Sequence, residues 1–181
     1  GVGRGTFYLQ DNVGGYLAYE LLCTEEEYNQ LAVGTKVRLT GYKDMWGGEV
    51  EIVDATFEIL EGNYVAEALD ATDKLGTNDI VKLQNMKLSF KGLTFVSLSV
   101  QGGQRGKDIY VTFSLNGQNY EFCVESYLTN ADSDLYKAVE GLKAGDVVDV
   151  EGFAYWYDGE NRKDAVYPEN INTHITSVTV K

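Results

Sequence analysis

Two stretches of this chain align at a constant offset of 111 residues without a gap: "LAVGTKVRLTGYKDMWGGE" at 31–49 and "LKAGDVVDVEGFAYWYDGE" at 142–160. The register pairs Leu31 with Leu142, Gly34 with Gly145, Val37 with Val148, Leu39 with Val150, Gly41 with Gly152 and Gly48 with Gly159. Self-similarity of this kind constrains the fold more than composition does, because each copy must sit in its own unit built on one plan.

The surroundings of the two copies match as well. Ahead of each lies a short amphipathic helix, "TEEEYNQL" at 24–31 and "SDLYKAVEGL" at 133–142. Thr24 with Glu27, and Ser133 or Asp132, supply the N-caps, and acids occupy the first turn, where the helix dipole favours them. Before each helix come two alternating strands joined by a glycine turn, "TFYLQDNVGGYLAYELLC" at 6–23 and "DIYVTFSLNGQNYEFCV" at 108–124; Asn116-Gly117 in the second is a hairpin signal. A further strand follows each copy, "EVEIVDATFEIL" at 49–60 and "HITSVTV" at 174–180. The second half opens with one more strand, "DIVKLQNMKLSF" at 79–90, running on toward Val100. In the first half that strand is nearly missing, since the chain opens at "GVGRGT", where "GRG" reads as a turn.

Strand, strand, strand, helix, strand, strand is the order of the five-stranded Greek-key barrel called the OB-fold. The expected fold is therefore all-β with short helices: two tandem five-stranded OB-fold barrels, the first lacking most of its first strand. The first spans 1–69, the polar stretch 70–78 is a linker, and the second spans 79–181. A barrel without its first strand exposes a pairing edge. Either the sequence is a portion of a longer chain or that edge receives a strand from another chain.

A single proline among 20 glycines fits tightly turned strands. No apolar run is long enough to span a membrane as a helix, and no signal peptide is visible. The formal charge of −13 repels a phosphate backbone unless basic residues are gathered in one place. Residues 1–70 carry 4 basic and 13 acidic side chains, whereas 79–181 carry 10 and 14. Within the second half, 80–107 holds Lys82, Lys87, Lys91, Arg105 and Lys107 and no acid. Cys23 and Cys123 fall at corresponding places in separate barrels and read as buried free thiols.

Catalytic chemistry is not indicated. The sole histidine, His174, has no second histidine or cysteine at ligand spacing and reads as a surface or edge residue. "NADSD" at 130–134 lacks the central glycine of a calcium loop, so Asp132 reads as part of a cap. No motif calls for a cofactor, and no metal ligand set stands out. What remains is geometric. OB barrels bind across strands two and three, between the loop joining strands one and two and the loop joining strands four and five. In the second barrel these loops are "QGGQRGK" at 101–107, with Arg105 and Lys107, and "YDGENRKDAVYPEN" at 157–170, with Tyr157, Arg162 and Lys163. Alternation along 148–157 places Val148, Val150, Ala154 and Trp156 on the core face and Asp149, Glu151, Phe153, Tyr155 and Tyr157 outside. The outward tyrosines have two uses open to them, a stacking platform for bases or a packing surface for the other barrel.

"GRGTFYLQDNVGGYLAY" resembles the strand-two and strand-three signature of OB-fold modules in secreted bacterial proteins. In those modules a Gly-Phe-Tyr-Leu-Gln-Asp run and a Gly-Gly pair precede a Leu-x-x-Gly-x-x-Val-x-Val-x-Gly strand. The matching residues are Phe7, Tyr8, Leu9, Gln10, Asp11, Gly14 and Gly15, then Leu31, Gly34, Val37, Leu39 and Gly41. Such modules accompany extracellular nucleases and occur in bacterial surface lipoproteins named for nucleic-acid binding. The second half is similar, in "ESYLT" and "HITSVTV", to tandem domains of gut-dwelling anaerobes. The lipoprotein cysteine of those proteins is not in this chain. The resemblance implies an extracellular or cell-surface location; with no catalytic motif in the sequence, the expected function is that of a non-enzymatic binding protein. Single-stranded nucleic acid is the expected partner, held by Arg105, Lys107, Arg162 and Lys163 on phosphates and Tyr155 or Tyr157 on bases. The alternative is recognition of a surface protein or glycan.

Overall fold

A computed structural model describes residues 2–155 and 173–181. The second half forms a closed barrel of β6 (Lys87–Val100), β7 (Ile109–Leu115), β8 (Gln118–Val124), β9 (Val147–Phe153) and β10 (Thr173–Val180). The strands lie in the order β6-β7-β8-β10-β9, and β9 returns to pair with β6. All neighbours are antiparallel except β8 and β10, which run parallel at Thr173–Phe122 and His174–Cys123. Counted within the barrel this is one-two-three-five-four and back to one, with α2 (Asp134–Glu140) between three and four, which is the OB-fold.

Local chemistry explains the elements. Asn116 and Gly117 both take positive φ, 53° and 82°, the type I′ geometry that suits the twist of β7 and β8. Ser133 caps α2 by accepting from the Tyr136 N–H at 3.1 Å, and the helix buries Tyr136 and Val139 against the barrel. Buried residues alternate with more exposed ones along β7 and β9, whereas β8 ends and β10 begins in three consecutive buried residues. Phe90, Phe113 and Phe122 meet edge to face in the centre, with centroids 5.3 Å apart for each of Phe90–Phe122 and Phe113–Phe122.

The first half repeats the order without strand one: β1 (Val2–Gln10), β2 (Gly15–Thr24), β3 (Thr35–Trp46) and β4 (Glu49–Asn63) lie as β1-β2-β4-β3. The short α1 (Glu25–Asn29) carries the full capping box between Thr24 and Glu27. Gly34 and Gly145 lie just ahead of β3 and β9 with φ of 96° and 94°, so the sequence register is also a backbone register. The "GRG" stretch is not a turn. Gly3, Arg4 and Gly5 are strand residues facing Cys23, Leu22 and Leu21 on β2, because that strand is long enough to pair with them. Cys23 and Cys123 are buried free thiols, one on β2 and one on β8.

The polar stretch 70–78 connects the halves but is packed rather than loose. Leu69 and Asp70 form the short β5, parallel to Leu88 and Ser89 of β6. Ala71, Leu75 and the following Ile80 enter the core of the second barrel. Nor is 79–90 one strand. Ile80–Leu83 is a 3₁₀ turn, Asn85 sits at φ 61°, and extension begins at Lys87. The reason is that Gln84 and Asn85 face the first sheet. Gln84 accepts from Val50 N–H at 3.0 Å and donates to Gly48 O at 3.2 Å, while Asn85 donates to Val50 O at 3.2 Å.

Candidate binding face

The outer surface of strands two and three, where OB barrels take ligands, has a different fate in each half. In the first half it is the outer side of β1 and β2, and the second barrel covers it. The Tyr8 ring stacks on Phe153 of β9, and its hydroxyl lies 3.4 Å from Nδ1 of His174 on β10. Gln10 accepts from the Lys87 N–H at 2.7 Å. Gly15 approaches so closely that a Cβ there would stand 2.2 Å from the carbonyl carbon of Asn85.

His174 is therefore not a surface residue. It is 5% exposed, with the Tyr8 and Phe153 rings edge-on and Tyr155 stacked on it at 4.6 Å. Burial pulls its pKa down to about 4 against a small opposing pull from Asp108, so it is neutral at pH 7. Tyr155, one of the two stacking candidates, is half-buried in this junction, and burial pushes its phenol well above the ordinary value. Of the two uses open to it, packing between the barrels is where the structure places it. Tyr157, Arg162 and Lys163 lie outside the described residues.

In the second half the corresponding outward residues are half-buried at Tyr110, Thr112 and Ser114, buried at Cys123 and exposed at Asn119 and Glu121. Inward Phe95–Phe113, Leu98–Val111 and Val100–Ile109 pairs alternate with outward Thr94–Ser114, Ser97–Thr112 and Ser99–Tyr110. The outward row is thus hydroxyl-rich and uncharged. Glu121 stands opposite Thr112 on β8. Beyond β8, Tyr127 is 94% exposed, the most exposed aromatic among the described residues. The loop carrying it is tied to β7, since the Ser126 N–H donates to the Asp108 carboxylate at 2.9 Å. Sequence reasoning missed Tyr127, although it lies in the "ESYLT" segment; no alternating strand pattern extends to it.

The block 80–107 is acid-free in sequence but not in space. Lys82 pairs with Asp79 at 2.7 Å, Lys87 with Glu151 at 3.4 Å and Lys91 with Asp70 at 2.8 Å. Arg105 donates from Nε to both Glu140 oxygens at 3.1 Å and from a terminal nitrogen to Ala131 O at 2.6 Å, with its guanidinium 5.5 Å over the Tyr136 ring. The same tyrosine hydroxyl accepts from Gly106 N–H and donates to Lys107 O, at 2.9 and 3.0 Å. Arg105 therefore fastens loop 101–107 to α2. Lys107 is exposed and makes no ion pair with a described residue. Such exposed pairs add little stability, about 0–1 kcal/mol each, but they cancel the charge a phosphate would meet.

Carboxyls flank the junction. Burial, then Asp44 and Glu20, push the Glu51 pKa up to about 7. Burial and the neighbouring Asp108 do the same for Glu125, also to about 7. Burial alone pushes Asp108 up, but hydrogen bonds from Ser126 and Glu125 outweigh it and its pKa ends below the usual value. Among the described residues no group of three or more His, Cys, Asp or Glu is placed to hold a metal ion.

No family model matches the chain, and no curated protein matches it. Among solved structures it is similar to asparaginyl-tRNA synthetase from Pyrococcus horikoshii. One structure, complexed with asparaginyl-adenylate, matches with 16% identity over 52% of this chain and 19% of that one, at a TM-score of 0.38. Another matches with 16% identity over 63% and 23%, at 0.42. The chain spans about a fifth of the synthetase's length. The OB-fold assignment follows from the strand order of the two sheets.

Proposed function

We propose that the protein is a non-enzymatic binding protein that uses the outer face of β7 and β8 for an uncharged, hydroxyl-bearing chain of the oligosaccharide class. The observation that carries this reading is the neutralisation of the basic block: Lys82, Lys87, Lys91 and Arg105 each face a carboxylate. Ser97 and Ser99 of the neighbouring β6 continue the row of Tyr110, Thr112 and Ser114 on that face, beside the exposed Glu121, and Tyr127 stands exposed beyond it. Hydroxyl rows hydrogen-bond sugar hydroxyls, and an exposed tyrosine stacks on a sugar ring. A net charge of −13 is no obstacle to such a ligand.

A second reading, single-stranded nucleic acid, is favoured by one observation, the exposed Lys107 in a loop whose Gly102, Gly103 and Gly106 all have positive φ. The experiment is an array of oligosaccharides and single-stranded oligonucleotides probed at two salt concentrations. Glycan binding that hardly changes with salt and falls at least tenfold in Tyr127→Ala supports the proposal. Oligonucleotide binding that weakens steeply with salt overturns it in favour of the second reading, and Lys107→Ala should then reduce the salt slope by about 0.7.

A further inference from the structure

Across neighbouring strands, charge meets opposite charge at Arg38 and Glu58 on β3 and β4, at Arg4 and Glu20 on β1 and β2, and at Lys87 and Glu151 on β6 and β9. Asp44 and Glu51 depart from this. They stand in register on β3 and β4, and both carry carboxyls. Like charges directly opposite each other on antiparallel strands are destabilising, and a cation between them relieves the repulsion. No described residue supplies that cation. Lys43, next to Asp44, is in register with Ile52, which packs on the first core, so alternation turns Lys43 to the other face of the sheet. Glu51 is 4% exposed, yet no described residue donates a hydrogen bond to it or pairs with it. The charges that reach it, those of Asp44 and Glu20, act with burial to raise its pKa.

Aromatic rings stand beside the two carboxyls. Tyr42, two residues before Asp44 and in register with Val53, shares their face and is 72% exposed. On the other side of β4, the β2 partner of Glu51 is Leu17, and Tyr19, two residues further along, is 43% exposed. The phenols of Tyr19 and Tyr155 both lie within electrostatic reach of Glu51. We propose that this part of the outer face of β2, β4 and β3 is a binding site for an organic cation, an alkylammonium or guanidinium group, seated between Glu51 and Asp44 with its flanks against Tyr19 and Tyr42. The site is carried by the first sheet and is independent of the glycan reading of β7 and β8.

The chemistry of the donors selects this class. A calcium ion takes about six to eight oxygens, and among the described residues no group of three or more His, Cys, Asp or Glu is placed to hold a metal. An organic cation asks for less. A carboxylate or two answers its charge, and tyrosine rings attract a cation over their faces while covering its apolar stem. The burial of Glu51 adds to the attraction, because opposite charges act more strongly on each other where water is excluded. Asp44, exposed at the rim, draws the cation in, and the buried Glu51 holds it.

The test is a titration of the whole protein, followed by backbone amide shifts, with n-butylammonium and N-propylguanidinium chlorides and with 1-butanol as the neutral control. A second arm uses a Gly/Ser peptide carrying a single Lys or Arg, against the same peptide with Gln in its place. The expected result is that the cations, free or on the peptide, shift residues 42–46 and 49–53 while the neutral counterparts do not; the tighter of the two arms identifies the source of the cation. Glu51→Gln removes a charge that no described residue answers, so it should fold, and it should weaken binding about tenfold or more. Tyr19→Leu keeps an apolar side chain without the ring and should also weaken binding. Equal binding of the neutral controls overturns the proposal, as does the absence of any shift with the cations. Cation binding that survives Glu51→Gln also overturns it, because the attraction is then diffuse and due to the net charge of −13. If Glu51→Gln does not fold, unchanged binding in Tyr19→Leu has the same force.

Discussion

The ring of Tyr8 on β1 lies on the ring of Phe153 on β9 with centroids 3.8 Å apart and planes 30° from parallel. This contact joins the outward face of one sheet to the outward face of the other. It turns what would be a ligand surface in the first half into an internal joint.

Replacing Tyr8 by alanine removes that contact and opens a hole beside His174. The expected loss is about 2–3 kcal/mol, below the range for a fully buried aromatic because Tyr8 is only half-buried. Tyr8→Phe keeps the stack and forfeits only the hydroxyl near His174, so it should cost under about 1 kcal/mol. Urea unfolding followed by tyrosine fluorescence reads both. Equal losses for the two variants would mean that the hydroxyl, not the ring, holds the joint.

Gly15→Ala should be worse than its one methyl suggests. The new Cβ would press on the Asn85 and Met86 backbone at 2.2–2.4 Å, and backbone cannot swing aside as a side chain does. Overpacking of this kind costs about 1–3 kcal/mol. Calorimetry should show the single transition broadening or splitting as the halves part.

Limited proteolysis should spare the connection between the halves. Lys74 and Lys82 flank Leu75 and Ile80, whose burial in the second core holds 70–78 down. Trypsin cleavage at these lysines, followed by mass spectrometry, should proceed no faster than global unfolding. Early cuts there would show that the segment opens independently.

The pH dependence follows from opposing groups. His174 has a folded pKa of about 4 against an ordinary 6.5, so its contribution is present above 6.5 and is lost as pH falls toward 4. Glu51 and Glu125, raised from 4.5 to about 7, act in reverse: their contribution is complete below 4.5 and is lost as pH rises through 7. Two carboxyls outweigh one imidazole, so stability should fall as pH rises from 4.5 to 7. In Glu51→Gln/Glu125→Gln the histidine is left alone and the trend should reverse sign between 4 and 6.5. Urea midpoints at several pH values check this.

What was legible in the sequence is what short-range chemistry determines. Asn116-Gly117 announces its hairpin, Thr24 with Glu27 its helix start, and the alternation of Val148, Val150 and Ala154 their burial. Their strand order follows from the succession of elements. The destinations of outward side chains were not legible, because they are set by segments far away in the chain. Phe153 and Tyr155 point away from their own core in either reading, and only the position of Tyr8 decides what they meet. The charge block misled for the same reason. Its cations are answered by Asp70, Asp79, Glu140 and Glu151, three of them on or beside other strands and helices. The supposed strand at 79–90 shows the complementary failure, since nothing local tells that Gln84 and Asn85 are needed at β4.

The contact between Tyr8 and His174 spans 166 residues of chain. A ribosome making this protein delivers β1 first and β10 among the last of the described strands. The outward apolar surface of the first sheet therefore waits, uncovered, while the residues in between are made. At roughly 5–20 residues per second that interval is on the order of ten seconds or more, far longer than a hairpin or barrel takes to form. The second barrel can complete itself from neighbouring strands, while the first must be held apart from other chains until its neighbour arrives.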